Sequence, residues 1–236
     1  MQMLMSRMRA AMEKYNMIED GDTIAVGVSG GKDSLALLYA LSEMRRFYPK
    51  KYEVKAITAD MCFLGEKTDF SEITSLCNKL EVEHIIRETE LYHIIFEVRE
   101  EKNPCSLCAR MRRGILHDMT KEAGCNKLAL GHHMDDAAET FMMNLLSGGR
   151  IESFRPVTYL SRKDLYMIRP MIFASEKEVL SAARKTKLPT VESPCPMDKI
   201  SNRNEMKQLI KELEKTYPAL KEKIIGGLQK ADLCGW

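Results

Sequence analysis

The stretch AVGVSGGKDSLALLYAL, residues 25–41, decides the fold, because an apolar run stops there at a glycine pair and a helical pattern follows. The run has the composition of a buried strand, and Leu37, Leu41 and Met44 recur at helical spacing. A strand, a glycine-rich turn and a helix start together form an anion site, since backbone N–H groups can approach phosphate oxygens and the helix dipole favours negative charge. The stretch therefore predicts a phosphate-binding loop.

The side chains of this loop indicate how phosphates would be held. Lys32 supplies a point charge, and the neighbouring serines supply hydroxyl groups. The Walker A spacing is absent, because Val26 stands where that motif needs glycine and Asp33 where it needs Ser or Thr. An aspartate beside phosphates would repel them unless a metal intervenes, so Asp33 is a predicted Mg²⁺ partner. The predicted nucleotide-binding residues of the loop are Ser29, Gly30, Gly31, Lys32, Asp33 and Ser34.

Composition and charge exclude several classes of protein. The chain has 236 residues, of which 44% are hydrophobic, so it can bury a substantial core. A formal net charge of +2 means that a nucleic-acid surface must come from local clusters of basic residues. No apolar segment reaches membrane-spanning length, and residues 1–22 resemble an amphipathic helix rather than a signal peptide. We therefore expect a cytoplasmic protein with no membrane partner, in which the seven cysteines are not a disulfide framework.

The order of patterns along the chain predicts an α/β fold. Strand-like runs alternate with helical patterns, which indicates a Rossmann-like parallel sheet with helices on both faces. The predicted strands span residues 23–28, 52–60, 83–89 and 126–132. Ligands bind at the carboxyl ends of the strands of such a sheet. We expect an N-terminal helix at residues 1–22, the main domain at 23–174 and a small helical C-terminal extension at 175–236.

The cysteines form the second informative pattern. Cys105 and Cys108 are spaced so that both sulfurs can reach one metal centre, and Cys195 lies between two prolines that stiffen its loop. A single CxxC pair fits half a zinc site, a redox dithiol or no site at all. Three thiolates could also hold a [4Fe–4S] cluster with one iron left open. We expect Cys62, Cys77 and Cys125 to fill the core and assign no role to Cys234.

Polar residues follow two of the predicted strands. The segment GHHMDDAAETF, residues 131–141, begins with Gly131, which allows the close approach of a ligand. Asp135 and Asp136 could each bind Mg²⁺ or orient a nucleotide. Asp136 together with Glu139 also resembles a capping box, so Asp135 is the preferred catalytic residue. Asp60 ends the second strand, where either an adenine or ribose contact or a simple strand-terminating role is expected.

Taken together, these motifs resemble a known family. SGGKDS is similar to the PP-loop of the ATP pyrophosphatase superfamily, which cleaves ATP between the α- and β-phosphates. The segments SGGKDSLALL, CSLCARMRRGIL, LALGHHMDDAAET and IRPM, with the cysteine of SPCPMD, resemble the TtcA-like tRNA 2-thiocytidine synthetases. The resemblance implies adenylation of the C2 oxygen of a tRNA cytidine, at position 32 of the anticodon loop, and its replacement by sulfur.

The resemblance also implies cofactors, partners and site residues. A [4Fe–4S] cluster would be held by Cys105, Cys108 and Cys195, with ATP and Mg²⁺ at the loop and tRNA as the partner. Catalytic roles fall to Lys32, Asp33 and Asp135. Cysteine desulfurase or inorganic sulfide would donate the sulfur, and a homodimer is allowed as the assembly. Basic residues beside Cys108 would contact RNA phosphates, namely Arg110, Arg112 and Arg113, of which the first and last are helical neighbours.

Several alternatives stay open. A PP-loop thiolase acting on tRNA uridine, or a small-molecule sulfurtransferase or desulfurase, would share both motifs. A cysteine that carries a persulfide is the rival interpretation of the three thiols. Lysidine-type synthetases share the loop but need no cysteine triad. A non-catalytic Fe–S or zinc module that senses redox state or binds RNA has no use for a pyrophosphate-binding loop.

Overall fold

Six strands form one sheet within the residues that the computed structural model describes, which are 1–99, 104–192, 195 and 202–236. The strands are β1 Asp22–Gly27, β2 Tyr52–Asp60, β3 Glu83–Glu88, β4 Lys127–Ala129, β5 Val157–Leu160 and β6 Leu165–Ile168. Their order is β3-β2-β1-β4-β6-β5, and all neighbours are parallel except β5 and β6. The predicted α/β fold with a parallel sheet is therefore confirmed.

The four predicted strands correspond to β1 through β4. β2 has the predicted extent, whereas β4 ends at Ala129 instead of residue 132, because the chain leaves the sheet there and Gly131 turns against the phosphate-binding loop. The antiparallel hairpin of β5 and β6 was not predicted. Each of its strands has four residues, which is too short for a clear alternation of apolar and polar side chains.

Eight α-helices occur in the described ranges, together with short 3₁₀ and π turns. The helices are α1 Gln2–Lys14, α2 Lys32–Met44, α3 Ser71–Lys79, α4 Pro104–Glu122, α5 Met134–Gly148, α6 Glu176–Thr186, α7 Asn202–Thr216 and α8 Leu220–Lys230. A π-helical turn spans His93–Val98, and 3₁₀ turns span Phe63–Gly65 and Leu233–Gly235. In these described ranges, no helix combines the length and the apolar character that crossing a bilayer requires.

Both faces of the sheet are covered, because successive residues of a strand point to opposite faces. Ile24 and Val26 of β1 belong to the main core, with Leu38 of α2. Ala25 points the other way and packs with Met119 of α4. The parallel strands β1, β2 and β4 therefore end at one edge of the sheet, between α2 on one face and α4 on the other.

The C-terminal helices pack on the rest of the chain. α6 lies against α2 and buries Val179 and Ala183 in the main core, while α7 and α8 lie against α5. Met206 and Ile210 of α7 are buried with Ala138 of α5. This packing holds α7 over the edge at which the central strands end. The boundary that we predicted between residues 174 and 175 stays a prediction.

Candidate nucleotide and thiol site

The phosphate-binding loop connects β1 to α2 and is held by its own hydrogen bonds. Gly31 precedes the first residue of α2, and Gly30 has a φ of +85°, in the region that favours glycine. The hydroxyl of Ser34 donates to the Gly31 carbonyl at 2.9 Å and accepts from the Ser29 N–H at 3.2 Å. The N–H of Val191 donates to the Gly30 carbonyl at 3.0 Å, so the segment after α6 supports the loop from outside. The loop is thus shaped for an anion at the start of α2.

Lys32 is the cation of the loop. Its Nζ lies 3.0 Å from Oδ1 and from Oδ2 of Asp33 and 3.3 Å from Oε1 of Glu176. Burial opposes the charged form, but the carboxylates of Asp33 and Glu176 outweigh burial and raise the pKa of Lys32 above its usual value. The side chain is therefore a cation at any pH at which the protein would work, and it is placed to exchange a carboxylate for a phosphate.

Gly131 lies where β4 meets the loop. A Cβ at this position would lie 3.1 Å from the carbonyl carbon of Asp33 and 3.1 Å from the backbone nitrogen of Ser34. The sequence predicted a close approach to a ligand, and the structure places the backbone of the loop itself against this glycine. Gly131 therefore fixes how far α2 can approach the end of β4.

Replacement of Gly131 by alanine should displace the loop, because backbone atoms cannot yield as a flexible side chain can. We expect the free energy of unfolding to fall by about 1–3 kcal/mol, with weaker nucleotide binding, as measured by chemical denaturation and calorimetric titration. Gly226→Ala in α8 is the matched control, since a Cβ there meets no atom within 4 Å. A Gly131→Ala protein as stable as the control would refute this role.

Two clefts open at the edge of the sheet, and both are lined by the loop. The first, here called the loop cleft, has a volume of about 500 Å³ and is lined by the loop, Gly131, His132 and Asp136. The second, here called the thiol cleft, has a volume of about 670 Å³ and is lined by the loop, Cys108 and Cys195. Residues shared by the two clefts are Ser29, Asp33, Ala59, Arg112 and Arg203. The clefts are therefore neighbouring parts of one site.

The start of α5 differs from the predicted capping box. His133 is the N-cap residue, its N–H donates to Oδ2 of Asp136 at 2.9 Å, and its Nδ1 accepts from the Asp136 N–H at 3.4 Å. The predicted box of Asp136 and Glu139 is wrong, because the helix begins three residues earlier. Asp136 sits on the first turn and lines the loop cleft as well.

Asp135 faces away from both clefts. Its Oδ2 accepts the backbone N–H of Glu176 at 2.7 Å, and its Oδ1 pairs with Nζ of Lys221 at 2.7 Å. Among the described residues that line the clefts, Asp136 is present and Asp135 is not. Asp135 therefore joins α5 to α6 and α8, whereas Asp136 lines the loop cleft, and the catalytic role of Asp135 stays a prediction.

Asp60 lines the thiol cleft, but its carboxylate accepts hydrogen bonds from the loop that follows β2. Its Oδ2 accepts the backbone N–H of Thr68 at 2.8 Å, and its Oδ1 accepts the Thr68 hydroxyl at 2.8 Å. The N–H of Cys62 also donates to Oδ1, at 3.2 Å. These bonds shape the loop after β2, and the contact with adenine or ribose stays a prediction.

The three predicted ligand thiols lie at one end of the site. Cys108 and Cys195 line the thiol cleft, and Cys105 is exposed on α4 beside Cys108. Burial raises the pKa of Cys108, the nearby Cys195 and Cys105 add to this effect, and Arg112 opposes it. The thiols are therefore close enough to influence one another's ionisation. Of the segment SPCPMD, residues 193–198, only Cys195 lies within the described residues.

The residue types of the three predicted ligands suit an iron–sulfur cluster, and their role as its ligands stays a prediction. In the described ranges, no group of three or more His, Cys, Asp or Glu side chains is gathered tightly enough to hold one metal ion. Thiolates that ligate a cluster bind different iron atoms, so they need not converge on one point. Thiolates are also the ligands that such clusters use. Cys105, Cys108 and Cys195 therefore fit the cluster that the sequence predicted.

The other cysteines divide into two groups. Cys77 and Cys125 are buried in the two cores, which confirms their prediction as core residues. Cys62 is half-buried in the loop after β2 with a φ of +48°, so its prediction as a core residue is wrong. Cys234 packs on the margin of the main core.

The three arginines of α4 differ in exposure. Arg112 is half-buried and lines both clefts beside Cys108, whereas Arg110 and Arg113 are exposed. The helical spacing of Arg110 and Arg113 predicts that Arg112 points in another direction. In the structure Arg112 points into the two clefts. The contacts of all three residues with RNA stay predictions.

Two arginines at the site were not predicted. Arg203 of α7 lines both clefts and lies 3.5 Å from Oδ1 of Asp136 and 3.6 Å from Oε2 of Glu139. The buried Arg169 donates through Nε to Nδ1 of His132 at 3.2 Å. Burial and this guanidinium lower the pKa of His132, which keeps its ring neutral. A charged amphipathic pattern gives no sign that Arg203 faces a cleft, while the IRPM segment, which belongs to the resemblance and contains Arg169, could have indicated that residue.

Comparison with known proteins identifies the family of this chain. The PP-loop domain family matches residues 3–213. The tRNA-cytidine(32) 2-sulfurtransferase of Geobacter sulfurreducens is 39% identical over 224 residues, covering 92% of this chain and 85% of that protein. The enzyme of the same name from Geobacter metallireducens is 38% identical over 221 residues, with the same coverage.

A solved structure extends the likeness to three dimensions. The U34-tRNA thiolase NcsA from Methanococcus maripaludis, determined with its [4Fe–4S] cluster, superposes with a TM-score of 0.78 at 28% identity. The match covers 97% of this chain and 78% of that one. A PP-loop match over most of the chain, together with relatives of this identity and coverage, establishes membership. The chain belongs to the PP-loop family of tRNA-cytidine(32) 2-sulfurtransferases.

Proposed function

We propose that this protein is an ATP-dependent tRNA sulfurtransferase that replaces the C2 oxygen of a cytidine at position 32 with sulfur. The observation that carries the proposal is that Lys32, Cys108 and Cys195 line one cleft. A protein with the phosphate-binding loop alone could adenylate many substrates. Thiols at the same cleft support sulfur transfer, and the names of relatives that are 39% and 38% identical support cytidine as the target.

The chemistry needs two steps, because the oxygen of a pyrimidine carbonyl is a poor leaving group. In the first step this oxygen attacks the α-phosphate of ATP, and pyrophosphate departs. The oxygen is then part of a phosphate ester, so a sulfur nucleophile can add at C2 and AMP can leave. The loop residues serve the first step, and the three thiols serve the second.

The residues around the phosphate-binding loop have separate tasks in the first step. Lys32 and the N–H groups at the start of α2 bind the phosphates that leave. Asp33 would help to hold Mg²⁺, which would offset the negative charge of the phosphates. Arg112, shared by both clefts, is placed to neutralise charge where the nucleotide meets the base. Asp136 orients the substrate or the metal, with Arg203 holding its carboxylate.

The second step rests on the thiols. Cys105, Cys108 and Cys195 would hold a [4Fe–4S] cluster, a proposal supported by the donor set and by the cluster of the thiolase from Methanococcus maripaludis. When bound, such a cluster supplies an iron site without a protein ligand, which can bind sulfur. Arg112 beside Cys108 opposes the rise in the pKa of this thiol that burial causes. We also propose that cysteine desulfurase or inorganic sulfide donates the sulfur. A homodimer is the proposed assembly.

The tRNA would reach the site across α4. Arg110 and Arg113 are exposed and lie on the same helix as Cys105 and Cys108. Phosphate contacts from such residues give affinity without base specificity. A base turned out of its stack can then reach the clefts. This arrangement gives the two exposed arginines a role distinct from that of Arg112.

Nucleoside analysis tests the proposed function. Anaerobically purified protein is incubated with unmodified tRNA, ATP, Mg²⁺ and sulfide, and the digested tRNA is analysed by mass spectrometry. We expect 2-thiocytidine, ATP-dependent release of pyrophosphate, and about four irons and four acid-labile sulfides per chain. The appearance of 2-thiouridine instead would favour the specificity of the 28% identical thiolase. Thiolation by iron-free protein, when a cysteine desulfurase supplies persulfide sulfur, would favour a persulfide mechanism. No pyrophosphate release would refute the proposed activity.

A further inference from the structure

Glu176 occupies the position of an anion at the thiol cleft. It is the first residue of α6, and its Oε1 lies 3.3 Å from Nζ of Lys32 while its Oε2 lies 2.6 Å from Nζ of Lys207. Two ammonium groups, one from the loop and one from α7, thus converge on one carboxylate. The side chains of Lys32, Glu176 and Lys207 are 28%, 27% and 47% exposed, so all three can be reached from the cleft.

The local charges cancel in this arrangement. Lys32 and Lys207 contribute two positive charges, and Asp33 and Glu176 contribute two negative charges. Although burial opposes ionisation of Glu176, Lys207 and Lys32 lower its pKa, so the carboxylate is charged. A triphosphate needs excess positive charge at its binding site. The site therefore gains the charge that it needs when Glu176 withdraws from the lysines.

The backbone of Glu176 is fixed while its side chain can rotate. Its N–H donates to Oδ2 of the buried Asp135 at 2.7 Å, and Ser175 caps α6 through a reciprocal pair of bonds with Glu178. The carboxylate itself is held by the side chains of Lys32 and Lys207. Rotation of this side chain thus leaves α6 and its capping intact.

We infer that Lys207 is a phosphate-binding residue of the ATP site and that Glu176 is a counter-ion which the outer phosphates of ATP displace. This inference rests on the proposed use of the loop for ATP. Lys32 holds the pyrophosphate that departs, and Lys207 shares a partner with Lys32, so Lys207 serves the same phosphates. Phosphate oxygens then bridge the loop and α7 in place of the carboxylate. Because α7 follows the Cys195 segment in the chain, bound ATP joins both sides of the thiol cleft.

Binding measurements with the holoprotein test this inference without tRNA. The dissociation constants of ATP and AMP are measured by calorimetry, with and without Mg²⁺, for Lys207→Gln, Glu176→Gln and wild type. We expect Lys207→Gln to weaken ATP binding about tenfold and to leave AMP binding nearly unchanged. Glu176→Gln should strengthen ATP binding about three- to tenfold, because the competing charge is gone. Lys211→Gln, an exposed lysine one turn further along α7, is the matched control.

Three results would overturn the inference. Unchanged ATP binding in Lys207→Gln would make the lysine a tether between α6 and α7. Equal weakening of ATP and AMP would place Lys207 away from the outer phosphates. Weaker ATP binding by Glu176→Gln only with Mg²⁺ would make Glu176 a metal ligand. Failure of the wild type to thiolate tRNA would refute the proposed function separately, because these measurements contain no tRNA.

Discussion

Lys32→Ala should lower the rate of tRNA thiolation by about 10²–10³-fold, the usual cost of removing one group that stabilises charge in a transition state. The ammonium group lies at the start of α2, 3.3 Å from the carboxylate of Glu176, where phosphate is expected. Without it the departing pyrophosphate loses its cation. The effect is measured as ATP-dependent pyrophosphate release and as 2-thiocytidine formed per chain.

The matched control for Lys32→Ala is Lys211→Ala, which removes an exposed lysine from α7. Iron and sulfide contents should equal those of the wild type in both variants, because neither lysine is one of the proposed cluster ligands. Unchanged pyrophosphate release by Lys32→Ala would mean that the loop is not the phosphate site. Loss of iron together with activity would mean that the substitution disturbs the whole site.

Cys195→Ser should abolish the cluster and thiolation while leaving ATP binding within about twofold of the wild type. The reason is that a serine hydroxyl is a poor ligand for iron, and the two remaining thiolates are too few to hold a [4Fe–4S] cluster. Cys195 is not one of the residues that we expect to bind the phosphates, namely Lys32 and the N–H groups at the start of α2, so ATP should still bind. Iron content, visible absorbance under anaerobic conditions and calorimetric titration with ATP measure the separate effects.

Cys62→Ser is the matched control, because Cys62 is also a half-buried thiol in a loop beside this edge of the sheet. That variant should keep its iron and its activity. Full iron content in Cys195→Ser would remove Cys195 from the ligand set. Retained iron with lost thiolation would instead support a persulfide carried on Cys195.

The loop between β1 and α2 was predictable because it is local. One continuous stretch contains the strand, the glycines and the helix, so hydrogen bonds between near neighbours determine its shape. The roles of Asp135 and Asp136 were not predictable in the same way. Adjacent residues on a helix point about 100° apart. Which of the two faces a cleft depends on how α5 is rotated against α6 and α8, and Lys221 and the N–H of Glu176 decide this.

The charged helix α7 shows a second limit. Its pattern indicates a solvated outer face, yet Arg203 and Lys207 line the thiol cleft. Met206 and Ile210 are buried against α5. Arg203 and Lys207 lie beside them on the same side of the helix, so this packing directs the two cations inward. The apolar spacing predicts which face of a helix is buried, but it does not specify what the polar face will meet.

The sequence by itself determined the strands β1 to β4 and the phosphate-binding loop, because apolar strand runs and glycine turns depend on contacts between near neighbours. Tertiary structure alone decided that Asp136 rather than Asp135 faces the site and that Arg112 lies between the two clefts. It also decided that Glu176 and Lys207 stand at the loop. These placements come from the packing of helices that are distant in the chain, and side-chain direction follows from that packing.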